Sequence, residues 1–275
     1  MKIKYLGTAA AEGVPALFCT CDVCAYARKV KGKEIRTRAQ SLINDDLLID
    51  FGPDTFYHTF KDDLKLENID NCLITHSHGD HLYLHDVMCR LPWFAKSAKE
   101  NAFNIYGSES TYEILTNEIN KYDDKSRIKA HLIKPYVPFK INNYEIIAIE
   151  AFHDPSSSPV NYIISDGKKT ILYAHDTGMY DEKVFEYLKK SNIHFDLVSI
   201  DCTGSLLTNY AYHHLSYDML LEVVKRLKEV KVVDDKTIVV ANHFSHNGGA
   251  TYAKMQEVAS KDNVIVSYDG LEIEI

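Results

Sequence analysis

Short apolar runs separated by polar turns dominate this chain. Residues 3–6 predict a strand that stops at Gly7. Residues 41–43 and 47–50 flank Asn44-Asp45-Asp46, the polar turn of a hairpin. Gly52-Pro53-Asp54 then opens a helix, with Phe56, Phe60 and Leu64 spaced for one face. Residues 72–74 form a buried strand, and residues 82–93 a helix with a broken apolar pattern. Ser108 can cap a helix carrying Tyr112, Leu115 and Ile119 on one stripe. The second half predicts strands at 144–152, 161–164, 170–174, 196–200 and 237–241, with Asp166-Gly167 as a hairpin turn. Helices fall at 181–190, after Ser216, and at 250–259, before two short closing strands. The helix after Ser216 buries Leu220, Val223, Val224 and Leu227. Two sheets packed face to face with helices outside would bury all these faces, so the fold class is an α/β sandwich. No low-complexity tract, sustained repeat or Pro/Gly/Ser linker divides the chain, which reads as one domain over residues 1–275.

The chemistry gathers where strands run out. His76-Ser77-His78-Gly79-Asp80-His81 places four potential metal ligands within six residues after the strand at 72–74. In extended backbone His76 and His78 point the same way and can reach one cation. Asp80 and His81, past a glycine that permits a turn, can face a second. His153 follows the strand ending at 152, and His243 follows the strand at 237–241. After the strand at 170–174 come His175 and Asp176; spacing does not choose between them, but a carboxylate has two oxygens and can bridge two ions. Each residue alone has the ordinary reading of a surface or core group. Their shared position at strand ends, where layered α/β folds collect ligands, favours a joint site.

A second cluster stands near the start. Cys19, Cys21 and Cys24 have C-x-C-x-x-C spacing, which suits one zinc ion, and a closed tetrahedral site needs a fourth donor. His246, three residues after His243, is the best candidate. This is a small Cys-rich insertion at about residues 17–38. Cys72, Cys89 and Cys202 are isolated and read as core residues.

Composition narrows the function classes. A formal charge of -8 argues against an extended nucleic-acid surface, because phosphate neutralisation dominates such affinity. No apolar run approaches the ~20 residues that span a bilayer. The first residues turn polar too quickly for a signal peptide, and three crowded thiols fit a reducing cytoplasm. A homodimer is the expected assembly if the chain self-associates.

The His-x-His-x-Asp-His run with His153, Asp176 and His243 resembles the metallo-β-lactamase superfamily over nearly the whole chain. That resemblance implies an αββα sandwich. It implies one divalent ion on His76, His78 and His153, another on Asp80, His81 and His243, and Asp176 bridging. The Cys module, with the Arg36-Thr37-Arg38-Ala39-Gln40-Ser41 stretch after it, resembles the phosphoribosyl cyclic phosphodiesterases of bacterial phosphonate breakdown. From that subgroup come a structural zinc on three Cys and one His, and a histidine general acid. His213 and His214 both fall in the matching stretch, and His214 aligns better; Asp80 is counted as catalytic besides being a ligand.

The implied activity is hydrolysis of small, cyclic phosphodiesters by metal-bound hydroxide, with zinc or manganese in the site and a small molecule as partner. Rival readings are a lactonase or other ester hydrolase, a tRNA-processing nuclease, a diiron oxidoreductase and a non-catalytic metal-binding protein. Arg38 and Ser156-Ser157-Ser158 are candidate contacts for a second phosphate, set against their reading as solvated surface.

Overall fold

Tyr5 and Leu6 are sequence neighbours, both fully buried, yet they serve different layers. In a strand alternate side chains face opposite ways, so Tyr5 enters the space between two sheets and Leu6 lies under helices on the outside. That alternation organises a computed structural model describing residues 1–96, 101–208, 210 and 213–275. The strands are β1 (Lys2–Gly7), β2 (Gln40–Ile43), β3 (Leu47–Ile49), β4 (Asn71–Leu73), β5 (Phe103–Gly107), β6 (Ile128–Leu132) and β7 (Phe139–Ile141). They continue with β8 (Tyr144–Glu150), β9 (Val160–Ser165), β10 (Thr170–Ala174), β11 (Leu197–Asp201), β12 (Ile238–Asn242), β13 (Val264–Val266) and β14 (Leu271–Glu274). One sheet runs β14-β1-β2-β3-β4-β5-β6, the other β13-β12-β11-β10-β9-β8-β7.

The helices are α1 (Asp22–Val30), α2 (Thr55–Lys61), α3 (Leu84–Val87), α4 (Glu109–Ile119), α5 (Glu182–Ser191), α6 (Tyr217–Glu229) and α7 (Tyr252–Ala259). Leu220, Val223 and Leu227 of α6 form the stripe that the 3.6-residue period predicts. They pack with Val184 and Leu188 of α5 and Met255 of α7 on the outer face of the second sheet. Leu115 and Ile119 of α4 cover the first sheet. Helices therefore lie outside both sheets, the αββα order. No helix among the described residues is long and apolar enough to cross a membrane.

Two features place the functional edge. Strands β3 and β4 are parallel, and so are β10, β11 and β12; β8 shares that direction because β9 is antiparallel to both β8 and β10. Their carboxyl ends therefore lie along one side of the sandwich. Hydrogen bonds from Val160 N to Thr75 O (2.9 Å) and from Tyr162 Oη to Ile74 O (2.6 Å) fasten the sheets together there.

Several local expectations fail for physical reasons. Phe56 and Phe60 of α2 are 69% and 63% exposed, whereas the helix buries Thr55 and His58. Leu64 is buried, but beyond the helix end at Lys61. The expected helix at 82–93 is only α3 and one tighter turn, Met88–Arg90. Ser108 and Ser216 stand at N-cap positions without capping: their hydroxyls donate instead to Ser158 O and to the Asp218 carboxylate. Strands β5, β6 and β7 and helix α1 carry no pattern strong enough to have been predicted.

The corrected α2 gives a sharp contrast. Leu64→Ala should destabilise the protein by about 2–5 kcal/mol by opening a core cavity. Phe60→Ala should stay within about 0.5 kcal/mol, as an exposed site does. Urea unfolding of the metal-loaded protein measures both; equal losses would restore the original stripe.

Candidate metal centres

Each prospective donor sits where a strand ends and the chain turns sharply. His76 follows β4, His153 follows β8, Asp176 follows β10 and His243 follows β12. Asp176 (φ 53°) and His243 (φ 63°) are in the left-handed region, as is Asp50 (φ 66°) directly after β3. Such conformations cost a non-glycine residue about 1–3 kcal/mol and persist where the surroundings enforce them. Here the turn aims a donor side chain into the seam between the sheets. The 76–81 loop closes through His81 N and Leu82 N, both donating to His78 O (3.0 and 2.8 Å). Gly79 is not what permits this turn: it has no positive φ and open space around it. Gly52 is the glycine that matters, because a Cβ there would lie 2.1 Å from Asp80 O.

The structure brings all seven predicted donors into two adjoining nests. His76, His78 and His153 form one, and Asp80, His81, Asp176 and His243 the other. His78 Nδ1 is 3.0 Å from His76 Nε2 and 3.3 Å from His153 Nε2. Asp176 Oδ2 lies 2.7 Å from His81 Nε2, 3.2 Å from His243 Nε2 and 3.5 Å from His76 Nε2. One oxygen thus faces histidines of both nests. Zinc–nitrogen bonds of about 2.0–2.1 Å would space tetrahedral donors about 3.3 Å apart, which matches this crowding.

The opposite nitrogen of each ring is already used. His76 Nδ1 meets Thr75 Oγ1 at 3.1 Å, His78 Nε2 donates to Asp154 Oδ2 (3.1 Å) and His153 Nδ1 to His213 O (3.3 Å). His81 Nδ1 donates to Asp50 Oδ2 (2.7 Å), and His243 Nδ1 meets Thr203 Oγ1 at 2.9 Å. With the proton held outward, the inward nitrogen presents a lone pair, the arrangement metal-ligating histidines adopt. The buried Nε2 atoms of His81 and His243 converge on carboxylate oxygen, at 2.7 and 3.2 Å from Asp176 Oδ2, a donor set that fits a cation.

The electrostatics agree. Burial holds His76 well below the usual histidine range. Burial opposes protonation of His81 too, but Asp80, Asp50 and Asp176 outweigh it and keep its pKa well above normal. His243 is likewise lifted to about 10, against burial, by Asp176 and Asp201. Desolvation works to raise Asp176, yet His243 and His81 draw it well below the carboxylate range. The pocket's field attracts positive charge.

His214 lies beside the second nest. Its Nδ1 is 3.3 Å from Asp201 Oδ2 and 3.3 Å from Asp176 Oδ1. Burial acts to lower its pKa, but the bond to Asp201 prevails and raises it. Asp201 Oδ1 accepts from Thr203 N (2.9 Å) and Leu215 N (3.0 Å), while Oδ2 accepts from Thr203 Oγ1 (3.1 Å) and faces His214, so the carboxylate is held beside that ring. With Asp176, His214 and His243 it also forms a further convergent donor group. The neighbouring His213 is exposed and reaches the site through its carbonyl, holding His153, while its ring stacks on Phe152 (5.6 Å). Asp50, Thr75, Asp201 and Thr203 went unnoticed in the sequence because single polar residues at strand ends carry no spacing signal.

Other candidates fall elsewhere. His175 is a core residue bonded to Ser199 Oγ (2.7 Å). Arg38 directs Nη1 to Asp54 (3.0 Å) and Nε to Ala11 O (2.9 Å), a structural use of most of its donors. In the serine loop, Ser157 is buried and Ser156 is tied to Asp154.

Cys19, Cys21, Cys24 and His246 converge into a separate nest, and the thiols form no disulfide. His246 Nδ1 is 3.5 Å from Cys19 Sγ and 3.6 Å from Cys21 Sγ. Bonds of about 2.3 Å to sulfur and about 2.0–2.1 Å to nitrogen give a tetrahedral edge near 3.5 Å, so these donors also fit a zinc ion.

Asp50 supplies a direct test of the outer shell. Asp50→Asn should weaken metal binding in the histidine nests by about 10–100-fold, the usual cost of losing an outer-shell carboxylate. Chelator competition measures this; unchanged affinity would remove Asp50 from the account.

A family described as the beta-lactamase superfamily domain matches residues 46–243. Ribonuclease Z of Picosynechococcus sp. is 25% identical over 198 residues, 70% of this chain, which spans only 57% of that protein's length. Among solved structures, a diphosphatase from the PhnP family superposes with a TM-score of 0.75 at 19% identity, covering 100% of this chain and 97% of the other. Zinc-bound PqqB from Methylobacterium extorquens gives 0.77 at 16% identity, with both chains fully covered. Matching the family over most of its length, with the two-sheet sandwich those structures share, the chain belongs to the metallo-β-lactamase superfamily of metal-dependent hydrolases.

Proposed function

We propose that this protein is a dinuclear metal-dependent phosphodiesterase acting on small, cyclic phosphodiesters. The observation that carries the reading is the pair of donor nests sharing Asp176 Oδ2, with His214 beside them. His76, His78 and His153 would hold one divalent ion, and Asp80, His81 and His243 the other, with Asp176 common to both. Zinc and manganese both suit this mixed nitrogen and oxygen set. When bound, such a pair supplies Lewis acidity toward phosphoryl oxygen and an acidified water. Cys19, Cys21, Cys24 and His246 would hold a structural zinc.

The chain's own groups do the rest. Hydrolysis adds water across a P–O bond, and the departing alkoxide needs a proton. His214 is placed to give it: Asp201 and Asp176 engage Nδ1, which leaves Nε2 as the transferable position. Asp201, anchored by two backbone N–H groups, keeps the imidazole in orientation. The diphosphatase among the structural neighbours supports a phosphate ester over a lactone. The acidic net charge supports a small substrate over transfer RNA.

Bis-p-nitrophenyl phosphate tests the reaction class. Metal-loaded protein should hydrolyse it, and His76→Ala should abolish the metal-dependent rate. His214→Ala should lose about 10²–10⁴ in kcat while retaining its metals, the range expected for a lost proton donor. Absence of metal-dependent turnover, or a fully active His76→Ala protein, rules the reading out; a panel of lactones then examines the ester alternative.

A further inference from the structure

One carboxylate outside both centres is fastened to the segment that serves both. His243-Phe244-Ser245-His246 carries a donor to the histidine nest at one end and to the thiol nest at the other. Glu12 Oε1 accepts from the Ser245 hydroxyl and from Asn247 Nδ2 (3.2 Å), and stands 3.6 Å from His246 Nε2. Ser245 Oγ accepts in turn from Asn247 N (3.0 Å), closing the turn that presents His246. On the other side of that ring, Nδ1 faces Cys19 and Cys21. The backbone fixes Glu12 in this position. Ala10 N donates to Phe244 O (3.0 Å) and Phe244 N to Thr8 O (2.9 Å), locking residues 8–10 beside the segment.

We propose that Glu12 is a positioning residue of the thiol centre, holding the His246 proton on Nε2 so that the Nδ1 lone pair is left for the metal. This rests on reading Cys19, Cys21, Cys24 and His246 as a metal site. At 3.6 Å the contact with Nε2 is longer than a hydrogen bond, so the carboxylate acts through its charge. The His246 and Glu12 side chains are only 13% and 30% exposed, which limits screening by water. A negative group behind a ligating imidazole favours the tautomer whose proton faces it, which turns the other nitrogen to the metal. The bonds to Ser245 and Asn247 give Glu12 a second, mechanical hold on the same turn, and the two contributions are separable.

Cobalt(II) separates the centres, because its thiolate charge-transfer band reports the Cys nest alone. Glu12→Gln keeps an acceptor for Ser245 and Asn247 but removes the charge. Competition against a chelator, read from that band, should show affinity reduced about 10–100-fold in Glu12→Gln. The thermal midpoint of the metal-free variant should match that of metal-free wild type, because a weaker metal lowers only the metal-dependent part of stability. Nitrogen-15 shifts of His246 in the reduced, metal-free protein should move from the Nε2–H form toward a mixture. Affinity unchanged within threefold in Glu12→Gln overturns the proposal, and a loss confined to Glu12→Ala reduces Glu12 to a structural anchor and overturns it as well. The triple variant Cys19→Ser, Cys21→Ser, Cys24→Ser is the control: a charge-transfer band of undiminished intensity in it overturns the metal site itself, a failure distinct from that of Glu12.

Discussion

Inward-facing lone pairs cannot be packed at 3.0–3.5 Å in a buried seam unless positive charge occupies the space between them. His78 and His153 donate outward to Asp154 and to His213 O, His76 Nδ1 meets Thr75, and the inward nitrogens lie 3.0–3.5 Å from one another or from Asp176. A cluster of buried carboxylates without a counter-ion is costly, and removing a partner from such a group is strongly destabilising. Asp80, Asp50 and Asp176 favour positive charge at His81, and Asp176 and Asp201 favour it at His243, so protons and cations compete for the same place. Metal binding must displace those protons, so affinity and proton release are linked.

The two-sheet architecture is what makes such crowding possible. Neither sheet alone brings enough donors to one place: β3 and β4 deliver Asp50 and the 76–81 loop, while β8, β10 and β12 deliver His153, Asp176 and His243. The register between the sheets is set by tyrosines. Tyr162 bonds Ile74 O, Tyr5 bonds Ser199 Oγ (2.9 Å) and Ser41 meets Tyr173 Oη at 3.3 Å. A buried hydroxyl finds its partner only if the sheets stack in one offset, so these bonds convert an adaptable apolar contact into a specified one. The left-handed turns at Asp50, Asp176 and His243 then direct the side chains into the seam.

The parts of this plan that were legible in the sequence are those written over short distances. The 76–81 run, the C-x-C-x-x-C spacing and the α6 stripe each place their consequence within a few residues. His153, Asp176 and His243 were legible because a donor after a strand is a topological clue. The outer shell was not legible: Asp50 is separated from His81 by 31 positions, and Asp201 from His214 by 13. Nor did periodicity read α2, where Phe56 and Phe60 recur at helical spacing yet face outward. Helix α2 begins only at Thr55 and closes under His58, whose nitrogens meet Gln40 (2.6 Å) and Thr37 (2.8 Å). A buried polar pairing decided its orientation over the apolar stripe.

The same reasoning explains why the Cys-rich lobe has a centre of its own. Its apolar cluster is Ala9, Val14, Val23 and Ala27, with Ile35 at the margin. Burying a valine stabilises by roughly 1.5–3 kcal/mol, and an alanine by less. Ordering the backbone of the 9-residue α1 alone costs on the order of 1–2 kcal/mol per residue. The cluster cannot hold the lobe unaided, and Arg28 bonding Ala16 O and Cys19 O recovers only part of the difference. Backbone bonds between Val14 and Arg36 and the Glu34 carboxylate on Tyr252 N and Ala253 N tie it further, and a metal on the proposed thiol site would add a staple to so small a core. Because His246 is the fourth of the convergent donors, such a staple would close on the loop that also presents His243, so stabilising the lobe would fix one wall of the histidine nests.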